Sequence, residues 1–229
     1  MMKRISPIDV IILDFDGTLA DTRQCIVQCT NATLFDLGLP LVDEKEIVAC
    51  IGLPLREMFV RAGKVKESIV DACMSRYRVL FPDIASRSAV LFPTVKETLE
   101  KLCQWEKQLT IATSRGRESL IPLIERFGIV PYISYIVAEE DVNRKKPFPD
   151  MVLKTMNDLH LNHENVLVVG DTIFDIAMGQ EAGCLTCGVT YGNQSREQIE
   201  RQHPDFIIDR FEQLVQLVKD NRNSFMVFK

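Results

Sequence analysis

Two aspartates, Asp14 and Asp16, stand two residues apart directly after the apolar run Val10–Leu13. Gly17 and Thr18 follow them and are typical turn residues. Carboxylates that converge in a low-dielectric environment repel each other unless a cation compensates their charge. Residues two apart at the end of a strand lean to the same side, so both carboxylates can reach one substrate. The pattern predicts a pair in which one carboxylate attacks and the other handles the proton.

Polar side chains also follow other short apolar runs. They are Thr113 and Ser114 after residues 109–112, Asp171 and Asp175 after residues 166–169, and Lys145 and Lys146 before Pro147. Ligands of open parallel sheets bind beyond the carboxyl ends of the strands, so we expect these groups at one rim. The acids have no nearby set of nitrogen or sulfur ligands, and such oxygen donors suit Mg²⁺ together with substrate phosphate. The rim therefore indicates phosphate chemistry, with Mg²⁺ and a lysine compensating the acids.

The chain around these residues alternates between short apolar runs and amphipathic segments of helix length. The apolar runs predict strands that are buried on both faces, at residues 10–13, 109–112, 135–138, 166–169, 184–189 and 206–208. Segments with apolar residues at helical spacing lie between most of them, with Gly128 and Gly183 as helix ends. This alternation predicts an α/β fold, a doubly wound parallel sheet with a Rossmann-like core.

One interval departs from the alternation. From about residue 21 to residue 92 the chain carries helical patterns and no convincing strand. We therefore predict an all-helical cap domain over residues 21–92, inserted into a catalytic core formed by residues 1–20 and 93–229.

Composition excludes several classes of protein. A net charge of -5 over 229 residues gives no electrostatic footprint for nucleic acid or for an anionic membrane. Between Asp9 and Asp14 the chain has only four apolar residues, too few for a signal peptide or a membrane span. Seven scattered cysteines indicate a reducing compartment rather than a disulfide framework, and their spacing does not favour a zinc site. We expect a cytoplasmic protein.

The segments "DFDGT", "TS", "KKPFPD" and "GDTIFD", in this order and spacing, resemble the four motifs of the haloacid dehalogenase superfamily. The resemblance covers essentially the whole chain, and it is to the phosphatase branch with a helical cap, similar to phosphoglycolate phosphatases. It implies that Asp14 is the nucleophile that forms an aspartyl-phosphate and that Asp16 is the general acid and base. Thr113 would bind the phosphoryl oxygens and Lys146 would neutralise charge, whereas Lys145 would be a solvated neighbour.

The resemblance also implies a metal site and further substrate contacts. Mg²⁺ would be held by Asp14, Asp171 and the main-chain carbonyl of Asp16, with Asp175 supporting the metal or Lys146. Gly17, Thr18 and Ser114 would complete the phosphate site. The resemblance further implies a small phosphorylated metabolite as substrate, phosphoglycolate among the candidates, and we expect a monomer or weak homodimer.

Several alternatives stay open at this point. Dehalogenases of the superfamily lack a second acid at the position of Asp16, so that activity is disfavoured. The related sugar-phosphate mutases usually carry an arginine in the cap loop after the glycine that is here Gly52; Leu55 takes that place and Arg56 falls one position later, which counts modestly against a mutase. Pyrophosphate is an alternative substrate. A non-catalytic phosphate-binding module is the rival of a different class.

Substrate recognition is assigned to the cap. Its candidate residues are Arg56, Arg61 and Lys64 near the segment "GLPLREMF", and of these we predict Arg56 as the substrate-binding residue.

Overall fold

The structure, a computed structural model, describes residues 7–226. Within this range the strands, in chain order, are β1 Val10–Leu13, β2 Ala20–Asp21, β3 Val90–Leu91, β4 Gln108–Ala112, β5 Tyr135–Val137, β6 Val166–Gly170, β7 Leu185–Val189 and β8 Phe206–Ile208. The α-helices are α1 Arg23–Asp36, α2 Glu44–Val48, α3 Leu55–Arg61, α4 Glu67–Ser88, α5 Val95–Gln104, α6 Arg117–Arg126, α7 Asp150–Asp158, α8 Ile173–Glu181, α9 Arg196–Glu200 and α10 Gln213–Met226. Short 3-10 turns lie at Val130–Tyr132, Glu139–Asp141 and His163–Asn165.

The main sheet is parallel throughout, in the order β5-β4-β1-β6-β7-β8. The chain starts in the middle at β1, continues outward on one side through β4 and β5, and then returns to β6 on the other side. The order of strands therefore reverses at β1, which is where open α/β sheets place their ligand crevice. The predicted doubly wound parallel sheet is confirmed, and the six predicted runs all form strands.

Alternate residues of β1 face opposite cores, as the two-residue period of a strand requires. Ile11 and Leu13 pack into a large core that includes residues of α5, α6 and α10. Val10 and Ile12 pack into a second core with residues of α7 and α8. Because both faces are covered, β1 is apolar at every position, and the first residue after it that can carry charge is Asp14.

Helices α1 to α4 lie between the short strands β2 and β3. Helix α4 buries one face, with Val70, Cys73, Tyr77 and Phe81 among its buried residues, at the three- and four-residue spacing of a helix surface. Helix α1 packs on α4, and α3 also contacts it. The core boundary after residue 92 and the cap limits of 21–92 stay predictions.

Two short strands lie at the two ends of the interval predicted to lack strands. Ala20 pairs with Leu91 and Asp21 pairs with Val90 in an antiparallel ladder where the chain leaves and re-enters the core. Two residues per strand are too few to show a period of two, so the sequence pattern could not indicate them. Helix α4 continues through Pro82 to Ser88.

No helix within the described range 7–226 combines the length and the apolar character that a membrane crossing requires. All seven cysteines are free, and all except Cys103 are buried.

Candidate active site

A buried lysine joins two carboxylates at the carboxyl end of β1. Lys146, in the segment between β5 and α7, is 1% exposed. Its Nζ donates to Asp14 Oδ1 and to Asp175 Oδ1, at 2.6 Å in both cases. Asp14 directly follows β1, and Asp175 lies in the first turn of α8. Residues 132 positions apart in the chain are thus held in direct contact by the parallel sheet.

The charges at this centre do not balance. Burial raises the pKa of Asp14 well above its ordinary value, Lys146 opposes that shift, and the neighbouring acids Asp175 and Asp171 add to it. Burial and then Asp175 raise the pKa of Asp171 to about 7. Burial works against the charge of Lys146, but the two carboxylates outweigh it and hold its pKa above the ordinary value. Three buried acids therefore share one ammonium group, and further positive charge would stabilise them.

Asp175 is fully engaged by its neighbours. Its Oδ2 accepts from the backbone N–H and the hydroxyl of Thr172, at 3.0 and 2.6 Å, while its Oδ1 accepts from Lys146. Thr172 in return caps α8 through the Asp175 N–H, so the two residues form a capping box. Asp175 therefore orients Lys146 and fixes the start of α8, and its support of a metal stays a prediction.

Asp171 and the main-chain oxygen of Asp16 converge on one donor. Asn193 Nδ2 donates to Asp16 O at 3.3 Å and to Asp171 Oδ2 at 2.9 Å. The Asn193 backbone N–H also donates to Asp171 Oδ2, at 2.6 Å. The side-chain amide of Asn193 thus links the main-chain oxygen of Asp16 to the Asp171 carboxylate.

The residues fit a hard divalent cation. Asp14, Asp171 and Asp175 each offer a carboxylate oxygen, and these oxygens lie within 4.8 Å of one another. Within residues 7–226 this is the one cluster of acids, histidines or cysteines with such geometry. Its oxygen-only donors and its uncompensated negative charge match the preferences of Mg²⁺.

Gly17 allows this arrangement. It has φ 92°, and a Cβ atom at this position would stand 2.2 Å from Asn193 Nδ2 and 2.2 Å from Asp171 Oδ2. Both the backbone conformation and the space therefore require glycine. Thr18 is fully buried, and its hydroxyl lies 3.4 Å from Asp171 Oδ1.

Asp16 turns its side chain toward an arginine that the sequence analysis did not identify. Arg115 Nε donates to Asp16 Oδ2 at 2.9 Å and Arg115 Nη2 donates to Asp16 Oδ1 at 2.6 Å. Thr22 donates to Asp16 Oδ1 as well, at 2.5 Å. Arg115 is 9% exposed, and its guanidinium lies 4.3 Å from the ring centroid of Phe81 on α4. The pair is bidentate and buried, and it contacts the cap.

Thr113 and Ser114 lie beside this pair. Thr113 is 1% exposed, and its hydroxyl accepts from the Arg115 N–H at 3.1 Å. Ser114 Oγ donates to the carbonyl of Gly52, 2.7 Å away in the loop between α2 and α3. The hydroxyl proton of Ser114 thus holds the cap loop against the core. A bound phosphate would have to accept a hydrogen bond from another group of Ser114.

The structure does not bring the predicted cap cations to this centre. Arg56 pairs with Glu67 and Asp71, Arg61 with Glu57, and Lys64 with Glu46. None of the three cations lines the cavity next to Asp14. The cap arginine that does line it is Arg78 on α4, which is exposed.

Lys145 differs from the expectation of a solvated neighbour. It is half-buried and lines the cavity, and its ammonium group donates to the carbonyls of Glu139 and Val142.

Two residues of the site could have been found by the rule that ligands gather after the strands of a parallel sheet. Arg115 follows Thr113 and Ser114 directly after β4, and Asn193 comes shortly after β7. Arginine and asparagine are common in surface loops, so their residue types alone gave no signal.

Beside Asp14 lies a cavity of about 440 Å³ between the core and the cap. Asp14, Asp16 and Thr113 line the cavity on the core side. Apolar side chains of α3, of α4 and of the loop before α3 line it on the cap side. This arrangement can hold a phosphate at Asp14 and the rest of a substrate under the cap.

Comparison with known proteins agrees with this geometry. The family model described as "Haloacid dehalogenase-like hydrolase" matches residues 11–189. A Dickeya dadantii protein named "Probable phosphatase IndB" is 33% identical over 210 residues, covering 90% of this chain and 91% of its own. A Pectobacterium atrosepticum phosphoglycolate phosphatase is 30% identical over 222 residues, covering 95% of each chain. A Haemophilus somnus crystal structure, described as a predicted phosphoglycolate phosphatase, superposes with a TM-score of 0.85 at 26% identity, covering 95% of this chain and 99% of that one.

Proposed function

The chain belongs to the haloacid dehalogenase-like hydrolases and is a phosphatase, and from this premise we propose that it is a Mg²⁺-dependent phosphomonoester hydrolase that works through an aspartyl-phosphate on Asp14. The observation that carries the proposal is the contact of Lys146 with both Asp14 and Asp175, next to Asp171. A buried carboxylate that is held by an ammonium group and faces a cavity is suited to attack phosphorus.

Two half-reactions follow from these positions. Asp14 attacks the phosphorus atom, the bond to the ester oxygen breaks, and that oxygen takes a proton from Asp16. Water then attacks the phosphoryl group on Asp14, Asp16 accepts its proton, and inorganic phosphate and free Asp14 are formed. Lys146 and Thr113 neutralise and bind the phosphoryl oxygens.

The metal complements these side chains. Asp14, Asp171 and the main-chain carbonyl of Asp16 would hold Mg²⁺, and Asp175 would support the site through Lys146. When bound, Mg²⁺ supplies positive charge to the phosphoryl oxygens and relieves the repulsion among the acids.

Asp16 has to leave Arg115 and take up a proton from solvent before it can serve the ester oxygen as an acid, because both of its carboxylate oxygens accept from Arg115 in this structure. Rotation of the Asp16 side chain toward Asp14 is therefore part of the proposed cycle.

Relatives named phosphoglycolate phosphatase make phosphoglycolate the first substrate to assay. The presence of Asp14, Asp16, Lys146 and Asp171 argues against a non-catalytic module, because such a module has no need of all four. A cytoplasmic location and a monomeric or weakly dimeric state stay predictions.

The proposal predicts that hydrolysis depends on a divalent cation. Treatment with excess chelator should abolish phosphate release from phosphoglycolate and from p-nitrophenyl phosphate, and Mg²⁺ added back should restore it. Phosphate release is measured by a colorimetric assay, with Ca²⁺ added back as a comparison. Full turnover in excess chelator would contradict the proposal.

A further inference from the structure

The cavity beside Asp14 has a wall of apolar side chains from the cap. Leu53, Met58, Tyr77 and Phe81 are all at least nine-tenths buried and line the cavity. They come from the loop before α3, from α3 and from α4. A wall of this composition gains free energy when it covers an apolar group and loses free energy when it strips water from a charged one.

The cap contacts the core around this cavity, so the apolar wall is part of the site in this structure. The carbonyl of Gly52 accepts from Ser114, and the Gly52 backbone is packed against Thr172 and Phe174. Phe81 lies under the guanidinium of Arg115. The cavity, with a volume of about 440 Å³, is therefore bounded by residues of the cap and of the core that contact each other. It lies within the usual range for small-molecule sites and greatly exceeds the two-carbon body of glycolate.

The cations of the cavity are already engaged or exposed. Arg115 is paired with Asp16 until that side chain turns toward the ester oxygen, and Lys145 donates to two main-chain carbonyls. Arg78 is exposed, and its charge, together with the charges of Lys145 and Arg56, acts on Glu139, which also lines the cavity. The same lining includes Glu118 and Glu140, both exposed, so the cavity also carries acidic groups.

From the apolar wall and these charges we infer that the preferred substrate is a phosphate monoester of a neutral alcohol with an apolar body about the size of an aromatic ring, rather than one with a second anion such as phosphoglycolate. The inference rests on the proposed function for the cleavage itself and adds the chemical class of the leaving group. The phosphate lies at Asp14 and Thr113, and the apolar body lies against Leu53, Met58 and Tyr77.

A matched pair of substrates tests the inference. Benzyl phosphate and phosphoglycolate share the phosphate, the ester oxygen and one methylene group, and they differ in carrying a phenyl ring or a carboxylate. Both release similarly basic alkoxides, so their rates compare contacts to the leaving group rather than its chemistry. With Mg²⁺ present, kcat/KM for benzyl phosphate should exceed that for phosphoglycolate by at least about tenfold, the scale of one well-filled apolar pocket. Equal values, or a preference for phosphoglycolate, would overturn the inference and leave the proposed phosphatase function intact.

Binding of uncleavable analogues keeps the inference testable if neither ester is hydrolysed, an outcome that would count against the proposed function. 2-Phenylethylphosphonate and 3-phosphonopropionate replace the ester oxygens of the two substrates by methylene groups. Titration calorimetry should show at least about tenfold tighter binding of the phenyl compound. Equal affinities, or tighter binding of the carboxylate compound, would contradict the inference.

A pair of variants locates the preference in the cavity. Leu55, at the start of α3, is half-buried and lines the cavity, whereas Val60 on the same helix is exposed and does not. Leu55→Lys should lower the ratio of benzyl phosphate to phosphoglycolate kcat/KM by at least about tenfold, since it replaces apolar surface by a cation. Val60→Lys adds the same charge outside the cavity and should leave the ratio unchanged. An unchanged ratio in folded Leu55→Lys would place the leaving group elsewhere.

Discussion

At the scale of single residues, the pair formed by Arg115 and Asp16 is the most consequential contact of the site. Both side chains are buried, and two hydrogen bonds join them in parallel. Such a fork restricts Asp16 to one orientation, turned toward Arg115 and Thr22. Asp16, the proposed general acid and base, is therefore held in one defined orientation before it takes part in the reaction.

The buried pair predicts a strong dependence of stability on both partners. Arg115→Met should lower the free energy of unfolding by about 3–5 kcal/mol, because it leaves the Asp16 carboxylate buried without its cation. Asp16→Asn combined with Arg115→Met should cost clearly less than the sum of the two single changes, since no charge remains unpaired. Urea unfolding of the four proteins measures the coupling. Additive losses would mean that the two side chains do not stabilise each other.

The assigned nucleophile gives a second prediction at this scale. Asp14→Asn should reduce turnover by several orders of magnitude, because an amide is a poor nucleophile, whereas its oxygen can still accept from Lys146. Steady-state phosphate release measures turnover, and circular dichroism checks the fold. Asp43→Asn, an exposed change at the start of α2, serves as the control and should retain full activity. Near wild-type turnover of pure Asp14→Asn would refute the assignment.

At the scale of elements, the loop between α2 and α3 connects the cap to two core loops through one glycine. Gly52 has φ 98°, its carbonyl accepts from Ser114, and a Cβ atom there would stand 3.0 Å from Thr172 Cγ2. Thr172 is the residue that caps α8 and bonds Asp175. A side chain at position 52 would therefore displace Thr172, which holds Asp175 and, through Asp175, Lys146.

Gly52→Ala and Gly38→Ala separate backbone strain from this contact. Both glycines have positive φ, but a Cβ atom at Gly38 would have nothing within 4 Å. Each change should lower the free energy of unfolding by about 1–2 kcal/mol, the cost of the left-handed conformation for a residue with a side chain. Only Gly52→Ala should lower kcat/KM, by about tenfold, because a small displacement near the reacting groups is costly. Equal activity of the two variants would show that the loop contact does not position the site.

At the scale of the whole molecule, the cluster of buried acids opposes folding, and a bound cation would offset that effect. Asp14, Asp171 and Asp175 are buried together with one lysine at the centre of the sheet. The repulsion among them opposes folding, whereas any cation bound to the folded form stabilises it by mass action.

Thermal unfolding of the wild type and of Asp171→Asn measures this balance. At a Mg²⁺ concentration of 100 times its Kd, the wild type should gain about 2.7 kcal/mol, and its Tm should rise accordingly. Asp171→Asn should be at least as stable as the wild type without Mg²⁺, because the amide oxygen can still accept from Asn193 and one buried charge is gone. Its Tm should not respond to Mg²⁺. An equal Mg²⁺ response of the two proteins would place the cation elsewhere.

The sequence by itself determined the parallel sheet and the rim that carries Asp14, Thr113 and Asp171. Strand and helix periods are local properties, and parallel strands bring all their carboxyl ends to one edge, so residues that follow the apolar runs had to meet. The resemblance to the family, whose lysine directly precedes a proline, favoured Lys146 over Lys145, and the structure shows that the two ammonium groups have different partners.

Only the tertiary structure decided how the cap meets the core. Arg115 pairs with Asp16 across 99 positions of sequence and lies on Phe81 of α4, and Arg78 rather than Arg56 lines the cavity. The contacts of Phe81 and Arg78 depend on how α4 packs over the rim, which is set by the summed contacts of many side chains. Helical periodicity shows which face of a helix is buried, but it does not show which partner that face will cover.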